Sequence, residues 1–392
     1  MAMASSPSQI DHLSALPDEV LIIILSLLPT RRAARTSVLS PRFRHLWKAS
    51  SSVDLSFAYC SSFKHSTYVS MANIALLSRT PSNPLLSLDL KIGSPLSCDL
   101  TDLQAFISSL LVHAHALGLR HLTIDGFSDF PSVFSISSLD SLSIRINSTF
   151  PSKIAFTHLR CLSINLTTKT STQIQRLLSE LCCLEDLQLH VFAEIEIVCL
   201  SSRTIKKLEL FFDYIDIDSL GLSMPSLEFI CLVYQCHYGC RNIPLIHGEI
   251  PFIRKAVVTI NCLRQEHITA VVQLLNFISH VEELSLDLEE YGFSGYPFSV
   301  LMEPGKEMPT FPNLKHLDMS ICFHEFNFDA VVTILHHCPT LESLILHHKP
   351  PDMYAVEWGK RYAWRSMLPR NRDELQANIL LIHQELNAKE NK

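Results

Sequence analysis

An apolar-x-x-apolar-x-apolar pattern recurs between residues 85 and 346 of this 392-residue chain, and eleven of its copies are interpreted as repeat units. Typical copies are Leu119-Arg-His-Leu-Thr-Ile, Leu184-Glu-Asp-Leu-Gln-Leu and Leu314-Lys-His-Leu-Asp-Met. The closing apolar-x-apolar alternates with a period of two, which predicts a short strand with one buried face. Successive copies start 20 to 34 residues apart, a distance that leaves room for a helix or a loop. The copies start at Leu85, Leu119, Leu139, Leu159, Leu184, Ile205, Leu227, Ile253, Val281, Leu314 and Leu341.

Helical patterns lie between several of these predicted strands. The repeat resembles leucine-rich repeats, whose units stack around a shared core so that their strands form one curved parallel sheet. The predicted fold is therefore α/β, with an irregular leucine-rich-repeat solenoid over residues 53–348. The alternative is an ordinary α/β sheet with alternating helices, whose strands would be more continuously apolar. The segments with a helical period run from Leu103 to Leu117, Ile174 to Leu184, Ile268 to Ile278 and Val331 to His337.

The predicted strands also indicate a binding surface. If the alternating apolar side chains face the core, the positions between them lie on the concave face of the sheet. Most of these positions are polar or small, but the strands after Ile205, Leu227 and Ile253 place large apolar side chains there. An apolar island with lysines at its edge is typical of a binding hot spot; the alternative is that β-propensity alone favours Phe and Val. The predicted target-binding residues are Lys207, Phe211, Phe229, Val233, Lys255 and Val257.

A different pattern occupies the N-terminal part of the chain. The stretch 13–29 is polar at its start and apolar over its second half. Pro17 favours the start of a helix and Pro29 favours its end. Thr30 and Ser40 are predicted as the N-caps of two further short helices. Three short helices cannot bury so many large apolar side chains among themselves, and a surplus apolar face marks a partner site.

The order of the motifs in this region is specific. Leu-Pro-Asp-Glu-Val-Leu, Ile-Leu-Ser-Leu-Leu-Pro, Ser-Val-Leu-Ser and Phe-Arg-His-Leu-Trp together resemble the F-box, over residues 12–52. The resemblance implies a three-helix module that docks on a Skp-type adaptor of cullin-RING ubiquitin ligases, with Phe43 where plant members usually have Trp. The alternative is a small helical cap on a larger core. The adaptor-binding residues implied by the resemblance are Leu16, Pro17, Leu21, Leu25, Leu28, Pro29, Val38, Leu39, Leu46 and Trp47.

The last repeats resemble the FBD region that follows F-box and leucine-rich-repeat modules in plant proteins. Phe311-Pro-Asn-Leu-Lys-His-Leu-Asp-Met and His337-Cys-Pro-Thr-Leu-Glu-Ser-Leu-Ile-Leu carry this resemblance, which covers residues 311–348. After Leu346 the resemblance ends, so the FBD-like region is truncated or divergent.

The segments outside these modules have their own patterns. Residues 1–11 are predicted to be disordered, and 292–312, rich in Gly and Pro, to form a long surface loop. Residues 349–392 form a divergent tail that starts at Pro350-Pro351, and 375–386 have the spacing of one helix face. This C-terminal helix either caps the last repeat or has no role.

Composition narrows the class of partner. Hydrophobic residues make up 47% of the chain and charged residues 18%, so a large core can be buried. The net charge is −7, and residues 51–348 hold 18 Lys and Arg against 30 Asp and Glu, which argues against nucleic acid as a partner. Twelve cysteines scattered over a long chain are not typical of a secreted disulfide scaffold. With no signal-peptide pattern and no apolar run of about 20 residues, we expect location in the nucleus, the cytoplasm or both, and no membrane partner.

Sequence motifs for catalysis are absent. The chain has no Gly-x-Gly-x-x-Gly, no Gly-x-Ser-x-Gly and no His-Glu-x-x-His. Cys236-His-Tyr-Gly-Cys240 has a Cys-x₃-Cys spacing, and Cys231 and His247 are candidates to complete four zinc ligands; the alternative is a loop with buried thiols. The pairs His336-His337 and His347-His348 are interpreted as surface histidines, and a metal site is the alternative. We predict no enzyme activity, no catalytic residue, no metal and no cofactor.

These features together predict a plant-type F-box/leucine-rich-repeat protein. Its expected function is that of the substrate-recognition subunit of an SCF-type (Skp–cullin–F-box) E3 ubiquitin ligase. The F-box would bind the adaptor, and the repeats would bind a protein target whose identity the sequence does not specify. The alternative is an interaction scaffold that acts outside any ubiquitin ligase.

Overall fold

The computed structural model describes residues 13–348, apart from residue 14 and a set of loops that includes 57–64, 93–99, 192–198, 291–307 and 322–330. The predicted disordered N-terminus, the C-terminal tail and most of the predicted 292–312 loop lie outside the described residues. The chain forms two compact units. The first unit comprises residues up to Arg145 with 151–159, and the second comprises 146–150 and the residues from Arg160 onward.

The first unit begins with short helices and continues with four parallel strands. The strands pair in the order β1-β2-β3-β4. Helices α4 and α5 occupy two of the connections, so the segment predicted from Leu103 to Leu117 is helical almost throughout. The elements are α1 (Asp18–Ser26), α2 (Thr30–Arg35), α3 (Phe43–Leu46), β1 (Ser52–Ser56), α4 (His65–Leu76), β2 (Ser87–Lys91), α5 (Leu100–Ala116), β3 (His121–Asp125) and β4 (Ser141–Ile146), with 3₁₀ helices at Thr36–Val38, Trp47–Ala49 and Pro131–Ser135.

The ends of α1 follow from its flanking prolines. Pro17 is the N-cap of the helix, with φ −59° and ψ 154°, and its carbonyl accepts the first helical hydrogen bond, from Leu21 N at 3.1 Å. Asp18 and Glu19 lie in the first turn, where negative charge is favourable next to the helix dipole. Pro29 lacks a backbone N–H, and the chain turns there directly into α2.

Hydrogen bonds join the N-terminal helices to strand β1 and to the segment that follows α4. The expectation that Thr30 caps α2 is wrong, because its buried Oγ1 instead accepts a hydrogen bond from Asp54 N in β1 at 2.7 Å. The buried Arg79 guanidinium donates to the carbonyl oxygens of Ser50, at 2.5 Å, and Ala75, at 2.9 Å, and burial lowers the pKa of Arg79 to about 10. The predicted boundary between the F-box and the repeats, at residues 52–53, therefore falls inside one compact unit.

The second unit contains eight parallel strands in its main sheet. They pair in the order β5-β6-β8-β10-β12-β13-β14-β15, each in register with its neighbour. Helices α6 (Ser171–Glu180) and α7 (Ile268–Phe277) lie on two connections, and 334–336 are also helical. The strands are β5 (Cys161–Leu166), β6 (Asp186–Val191), β8 (Lys207–Asp213), β10 (Phe229–Gln235), β12 (Lys255–Leu263), β13 (Glu283–Glu290), β14 (His316–Ile321) and β15 (Ser343–His348).

A three-stranded second sheet, which the sequence patterns do not predict, replaces helices in three consecutive repeats. It consists of β7 (Cys199–Ser201), β9 (Ser219–Ser223) and β11 (Leu245–Glu249), paired in parallel with β9 in the centre. Gly248 is required in β11, because it has φ +125° and a Cβ there would overlap the carbonyl oxygen of Leu222. β7 and β11 are too short or too mixed in polarity to show a period of two, whereas β9, Ser-Leu-Gly-Leu-Ser, does alternate, and this signal was missed.

The repeat pattern forms the core of both units. Each of the first ten repeat-start residues is at most 3% exposed, and Leu341 is half-buried. The second and third apolar positions are also buried from Leu88 to Met319, and adjacent strands bring these positions opposite one another, as for Leu208 and Ile230. The predicted strand register is therefore confirmed, and the side chains at the intervening positions lie on the opposite, open side of each sheet.

Charged residues alternate in sign at the position after each repeat start in the second unit. The backbone N–H of each of these residues from Glu185 onward donates to the carbonyl oxygen of the corresponding residue in the previous repeat, as from Lys206 to Glu185. Ion pairs also join the side chains, Lys206 to Glu185 at 3.2 Å and Arg254 to Glu282 at 3.6 Å. A single exposed ion pair stabilises a protein little. If a strand paired with the next strand but one, however, two residues of like charge would lie side by side. The alternating residues are Arg160, Glu185, Lys206, Glu228, Arg254, Glu282, Lys315 and Glu342.

Candidate binding surfaces

Helix α1 is apolar on two adjacent stripes. At about 100° per residue, Val20, Ile23, Ile24 and Leu27 fall on one stripe and Leu21, Leu25 and Leu28 on the other. The structure buries Leu21 and Leu25, while Ile23 is 62% and Leu27 80% exposed. The exposed α1 stripe, defined as Val20, Ile23, Ile24 and Leu27, is thus the face of this helix that is free to bind a partner.

The predicted adaptor-binding set divides between the core and the surface. Four of its members form the core of the N-terminal helices, where α1 packs on α3 and on the 3₁₀ helix that follows it. Each of these four is at most 9% exposed, so its side chain faces the core of the N-terminal helices in this structure. The buried members are Leu21, Leu25, Leu46 and Trp47; Leu16 is half-buried; and Pro17, Leu28, Pro29, Val38 and Leu39 are exposed.

The exposed α1 stripe was missed because the sequence does not say which of two apolar stripes faces inward. The spacing 20, 23, 24, 27 was available as a signal, since it is the i, i+3, i+4, i+7 pattern of one helix face. Val38 is 87% exposed and Leu39 64%, so the turn after α2 adds two more unburied apolar side chains. This amount of exposed apolar surface on a short helical region is typical of a protein–protein interface.

Two hydrogen bonds from the Arg42 side chain hold the N-terminus of α1 in place. Arg42 Nε donates to Asp18 Oδ1 at 2.6 Å, and Arg42 Nη2 donates to the carbonyl oxygen of Leu16 at 2.5 Å. Both side chains are substantially exposed, so the ion pair itself contributes modestly to stability. Its geometric effect is to fix the entry of α1 against the turn that precedes α3.

The open side of the second unit carries the predicted target-binding residues. Register pairing places Phe229 between Lys207 and Lys255, and it places Val233 beside Phe211 and Cys231 beside Val257. Parallel strands lie about 4.8 Å apart, so these side chains are immediate neighbours. The apolar patch, defined as Phe211, Phe229, Cys231, Val233 and Val257, is contiguous, and all of its members are half-buried.

Both lysines beside the apolar patch are engaged by carboxylates. Lys207 Nζ lies 2.6 Å from Glu209 Oε1 and 3.6 Å from Asp186 Oδ2, and hydrogen bonding to Glu209 raises the pKa of Lys207. Lys255 Nζ lies 3.0 Å from Glu283 Oε2, and hydrogen bonding to this lysine lowers the pKa of Glu283. The lysines therefore border the patch as ion pairs rather than as isolated positive charges.

The two phenylalanines of the patch are held by their neighbours. The His190 ring stacks on Phe211 with centroids 4.1 Å apart and an interplanar angle of 2°. Desolvation by burial lowers the pKa of His190, partly opposed by Asp213 and Glu209, so the imidazole stays neutral at pH 7. Lys207 Nζ lies 5.6 Å from the centre of the Phe229 ring, within the range of a cation–π contact.

Cys231 has the properties of an apolar side chain. Burial, assisted by the charge of Glu209, raises the pKa of its thiol to about 11, so the thiolate needed for nucleophilic attack or metal binding is scarce at neutral pH. Cys231 lies in the main sheet and His247 in the second sheet. The segment from Cys236 to Cys240 lies outside the described residues. Within the part of the chain that is described, no group of three His, Cys, Asp or Glu side chains could hold a metal ion.

The open side of the first unit is polar throughout its described positions. Asp54, Asp89 and Thr123 lie side by side on β1, β2 and β3. Burial raises the pKa of Asp89, a shift that a hydrogen bond with Thr123 opposes. Arg145 Nη2 lies 3.5 Å from Asp125 Oδ1. The large apolar side chains of the open faces are thus a property of the second unit.

The helices that the structure describes are short or carry polar side chains. None of them is both long and apolar enough to cross a bilayer. The longest, α5, has 17 residues and carries charged and polar side chains.

Comparison with known proteins agrees with this architecture. The F-box domain family matches residues 13–53. A Putative F-box/LRR-repeat protein of Arabidopsis thaliana is 28% identical over 357 residues, which are 85% of this chain and 64% of the relative. An F-box/FBD/LRR-repeat protein of the same plant is 27% identical over 343 residues, covering 86% of this chain and 74% of the relative.

A third relative is similar enough to establish the family. An FBD-associated F-box protein of Arabidopsis thaliana is 30% identical over 356 residues, covering 86% of this chain and 75% of the relative. The resemblance to F-box, FBD and leucine-rich-repeat proteins predicted from the sequence motifs is therefore confirmed. This chain belongs to the family of F-box proteins with FBD and leucine-rich-repeat regions.

Proposed function

We propose that the protein is the substrate-recognition subunit of an SCF-type E3 ubiquitin ligase. The single observation that carries this proposal is the exposed α1 stripe, which lies within the residues that match the F-box family. An F-box implies a Skp-type adaptor as partner, and through it a cullin-RING ligase. The protein itself is a binding subunit, and the other subunits of the ligase carry out catalysis in the nucleus, the cytoplasm or both.

The adaptor contact uses the exposed α1 stripe together with Leu28, Val38 and Leu39. Burial of these side chains against a partner is favourable by roughly 25 cal/mol of free energy per Å² of apolar surface removed from water. Leu21, Leu25, Leu46 and Trp47 support the contact from below by holding α1 against the following helices. The apolar patch of the second unit serves as the contact for a protein target, with Lys207 and Lys255 at its border.

The adaptor contact is tested by charge placed on its centre. The double variant Ile23→Asp with Leu27→Asp puts two carboxylates on the apolar interface, where their desolvation is costly, so capture of a recombinant Skp-type adaptor should be lost. The matched control is Phe252→Asp, an exposed aromatic outside the F-box region that is 67% exposed; it should leave capture unchanged. Retained capture by the folded double variant would contradict the proposal.

The target contact is tested separately. Phe211→Ala with Phe229→Ala removes both aromatic anchors, and each such anchor typically contributes ~2 kcal/mol or more to binding. Affinity capture from cells treated with a proteasome inhibitor should then lose the target and keep the adaptor. Target capture that is unchanged by the two substitutions would mean that the target binds elsewhere on the protein.

A scaffold acting outside a ubiquitin ligase is the second candidate function. The same two surfaces would serve it, so it differs only in the partner of the exposed α1 stripe. Ubiquitylation of a captured target by the reconstituted ligase separates the two functions.

A further inference from the structure

We infer that the turn between α6 and β6 captures a trivalent arsenical with one carbon substituent, through the thiols of Cys182 and Cys183. Neither residue belongs to the exposed α1 stripe or to the apolar patch, so the inference goes beyond the proposed function and does not depend on it. It is carried by two adjacent exposed thiols, by the buried leucines that flank them and by the number of sulfur ligands that the turn offers.

Residues 181–184 form a tight turn with the two cysteines at its tip. The backbone N–H of Leu184 donates to the carbonyl oxygen of Leu181 at 3.4 Å, which is the hydrogen bond of a β-turn. Cys182 and Cys183 occupy the two central positions, and both are exposed free cysteines. Leu181 is 3% and Leu184 1% exposed. The core therefore anchors both ends of the turn, while the two thiols face water.

The backbone on either side of the turn is also fixed. The N–H of Leu181 donates to the carbonyl oxygen of Leu177 in α6 at 3.2 Å, and the N–H of Glu185 donates to the carbonyl oxygen of Arg160 at 2.9 Å. These bonds tie the turn to the helix before it and to the start of the neighbouring repeat strand. A ligand that binds here meets thiols on an ordered backbone, and binding to an ordered site loses less conformational entropy.

The two thiols interact with each other. A hydrogen bond with the side chain of Cys182 raises the pKa of Cys183, an effect that Arg160 opposes and Glu185 assists. The thiolate of Cys183 is therefore scarce at neutral pH, and its reactions as a single nucleophile are slow. A ligand that bonds to both sulfurs is favoured instead, because once the first bond has formed the second is intramolecular.

A disulfide within this pair is disfavoured. Adjacent Cα atoms are about 3.8 Å apart, whereas disulfides usually span about 4.4–6.8 Å between Cα atoms. A direct sulfur–sulfur bond would strain the turn, and strained disulfides are easily reduced. One further atom between the two sulfurs lengthens the bridge and relieves this strain.

The number of ligands selects that atom. A structural zinc site takes four ligands, and within the described residues no group of three Cys, His, Asp or Glu side chains could hold a metal ion. Trivalent arsenic forms three bonds and is soft, like the acceptors that select sulfur ligands. When one bond goes to carbon, two thiols complete the set. With an arsenoxide, two As–S bonds replace the bonds to oxygen, the two thiol protons leave with that oxygen as one water, and no atom changes its oxidation state.

The experiment uses the full chain, phenylarsine oxide as the probe and differential labelling of thiols. The folded protein is loaded with the probe, glutathione removes arsenic that is held by one thiol, and N-ethylmaleimide blocks the thiols that stay free. Ethanedithiol then extracts the remaining arsenic, and deuterated N-ethylmaleimide marks the cysteines that had held it. Mass spectrometry of the tryptic peptide 177–203 should find the deuterated label on Cys182 and Cys183 and the ordinary label on Cys199.

Matched variants test the need for both thiols. Cys182→Ser and Cys183→Ser should each weaken binding of the probe at the turn by ~100-fold or more, because the second bond is lost, and the remaining cysteine should take the ordinary label. Cys199→Ser and Cys161→Ser, which remove other exposed cysteines, should leave capture unchanged. All four variants change exposed side chains, so circular dichroism should show the same fold.

Three results would overturn the inference. One is the ordinary label on Cys182 and Cys183 of the unaltered chain, which would mean that the pair does not hold arsenic. Another is continued protection of the remaining cysteine in either single variant, and the third is loss of capture in Cys161→Ser. The last two would show that the second or a third sulfur comes from outside the turn.

Discussion

Helix α1 and strand β8 are both rich in large apolar residues, yet they differ in how far their sequences specify the buried side. Along β8, side chains alternate between the two faces of a sheet, so Leu208, Leu210 and Phe212 are buried together and Phe211 lies on the open side. Along α1, two apolar stripes lie next to each other, and either one could face inward. A period-two pattern with polar alternates specifies burial, whereas a helix that is apolar over most of its circumference does not.

The largest expected effect tests the buried stripe of α1. Leu25→Asp should unfold the N-terminal helices, because Leu25 is 3% exposed and an unpaired buried charge costs several kcal/mol, ~4 or more. Thermal unfolding followed by circular dichroism measures the loss. Leu27→Asp, on the exposed stripe, should change the free energy of unfolding by less than about 0.5 kcal/mol. Similar melting of the two variants would mean that the burial of α1 has been assigned to the wrong stripe.

The next effect tests the register of β8. Leu210→Ala should destabilise the protein by about 2–5 kcal/mol, the usual cost of a buried Leu truncated to Ala. Phe211→Ala removes a half-buried ring and its stack on His190, and should cost about 1 kcal/mol. Urea unfolding of both variants checks the comparison, and a larger loss for Phe211→Ala than for Leu210→Ala would reverse the assignment of faces.

A smaller effect is expected where the helices meet the sheet. Thr30→Val keeps the shape of the side chain but leaves the amide of Asp54 without its acceptor, at a cost of about 1–3 kcal/mol. Thr36→Val is the control, since Thr36 Oγ1 donates only to the nearby carbonyl of Ala33, and it should cost less than about 0.5 kcal/mol. Chemical denaturation distinguishes them. Equal stability of the two variants would show that the hydrogen bond from Asp54 N to Thr30 Oγ1 contributes nothing to stability.

The smallest effect is a pH dependence on the open side. The pKa of His190 is lowered in the folded state from its ordinary 6.5, so between these two values the unfolded chain binds more protons than the folded one. Stability is therefore fully present above pH 6.5 and decreases as the pH falls toward the lowered pKa. His190→Gln should reduce the difference in melting temperature between pH 8 and pH 5.5. An unchanged difference would locate the pH dependence in other groups.

The same contrast explains which parts of the fold were predictable. The eleven repeat strands and their inward faces follow from short-range alternation, and the helices α5, α6 and α7 lie close to the segments with a helical period. The strands β7, β9 and β11 were not predicted, because β7 and β11 do not alternate over enough residues and the alternation of β9, Ser-Leu-Gly-Leu-Ser, was not recognised as a strand signal. Thr30 was misassigned as a cap because its real partner, Asp54, is 24 positions away in sequence.

The candidate sites divide in the same way. The apolar patch was predictable as a set of outward positions, since Phe211, Val233 and Val257 each lie between two buried residues of their strand and Phe229 directly precedes the buried Ile230. The ion pairs of Lys207 with Asp186 and of Lys255 with Glu283 join different strands and required their register, whereas Glu209 pairs with Lys207 along the same strand. The exposed α1 stripe required the position of α3, because only the packed neighbour decides which side of α1 leaves water.

The sequence by itself thus determined the family, the repeat strands and the side of each strand that is buried, because motif order and period two are local properties of the chain. The tertiary structure alone decided which stripe of α1 is exposed, how the first strand is bonded to the N-terminal helices and which charges meet on the open side. Those features depend on contacts between residues that are distant in sequence, and their energies exist only after the chain has folded.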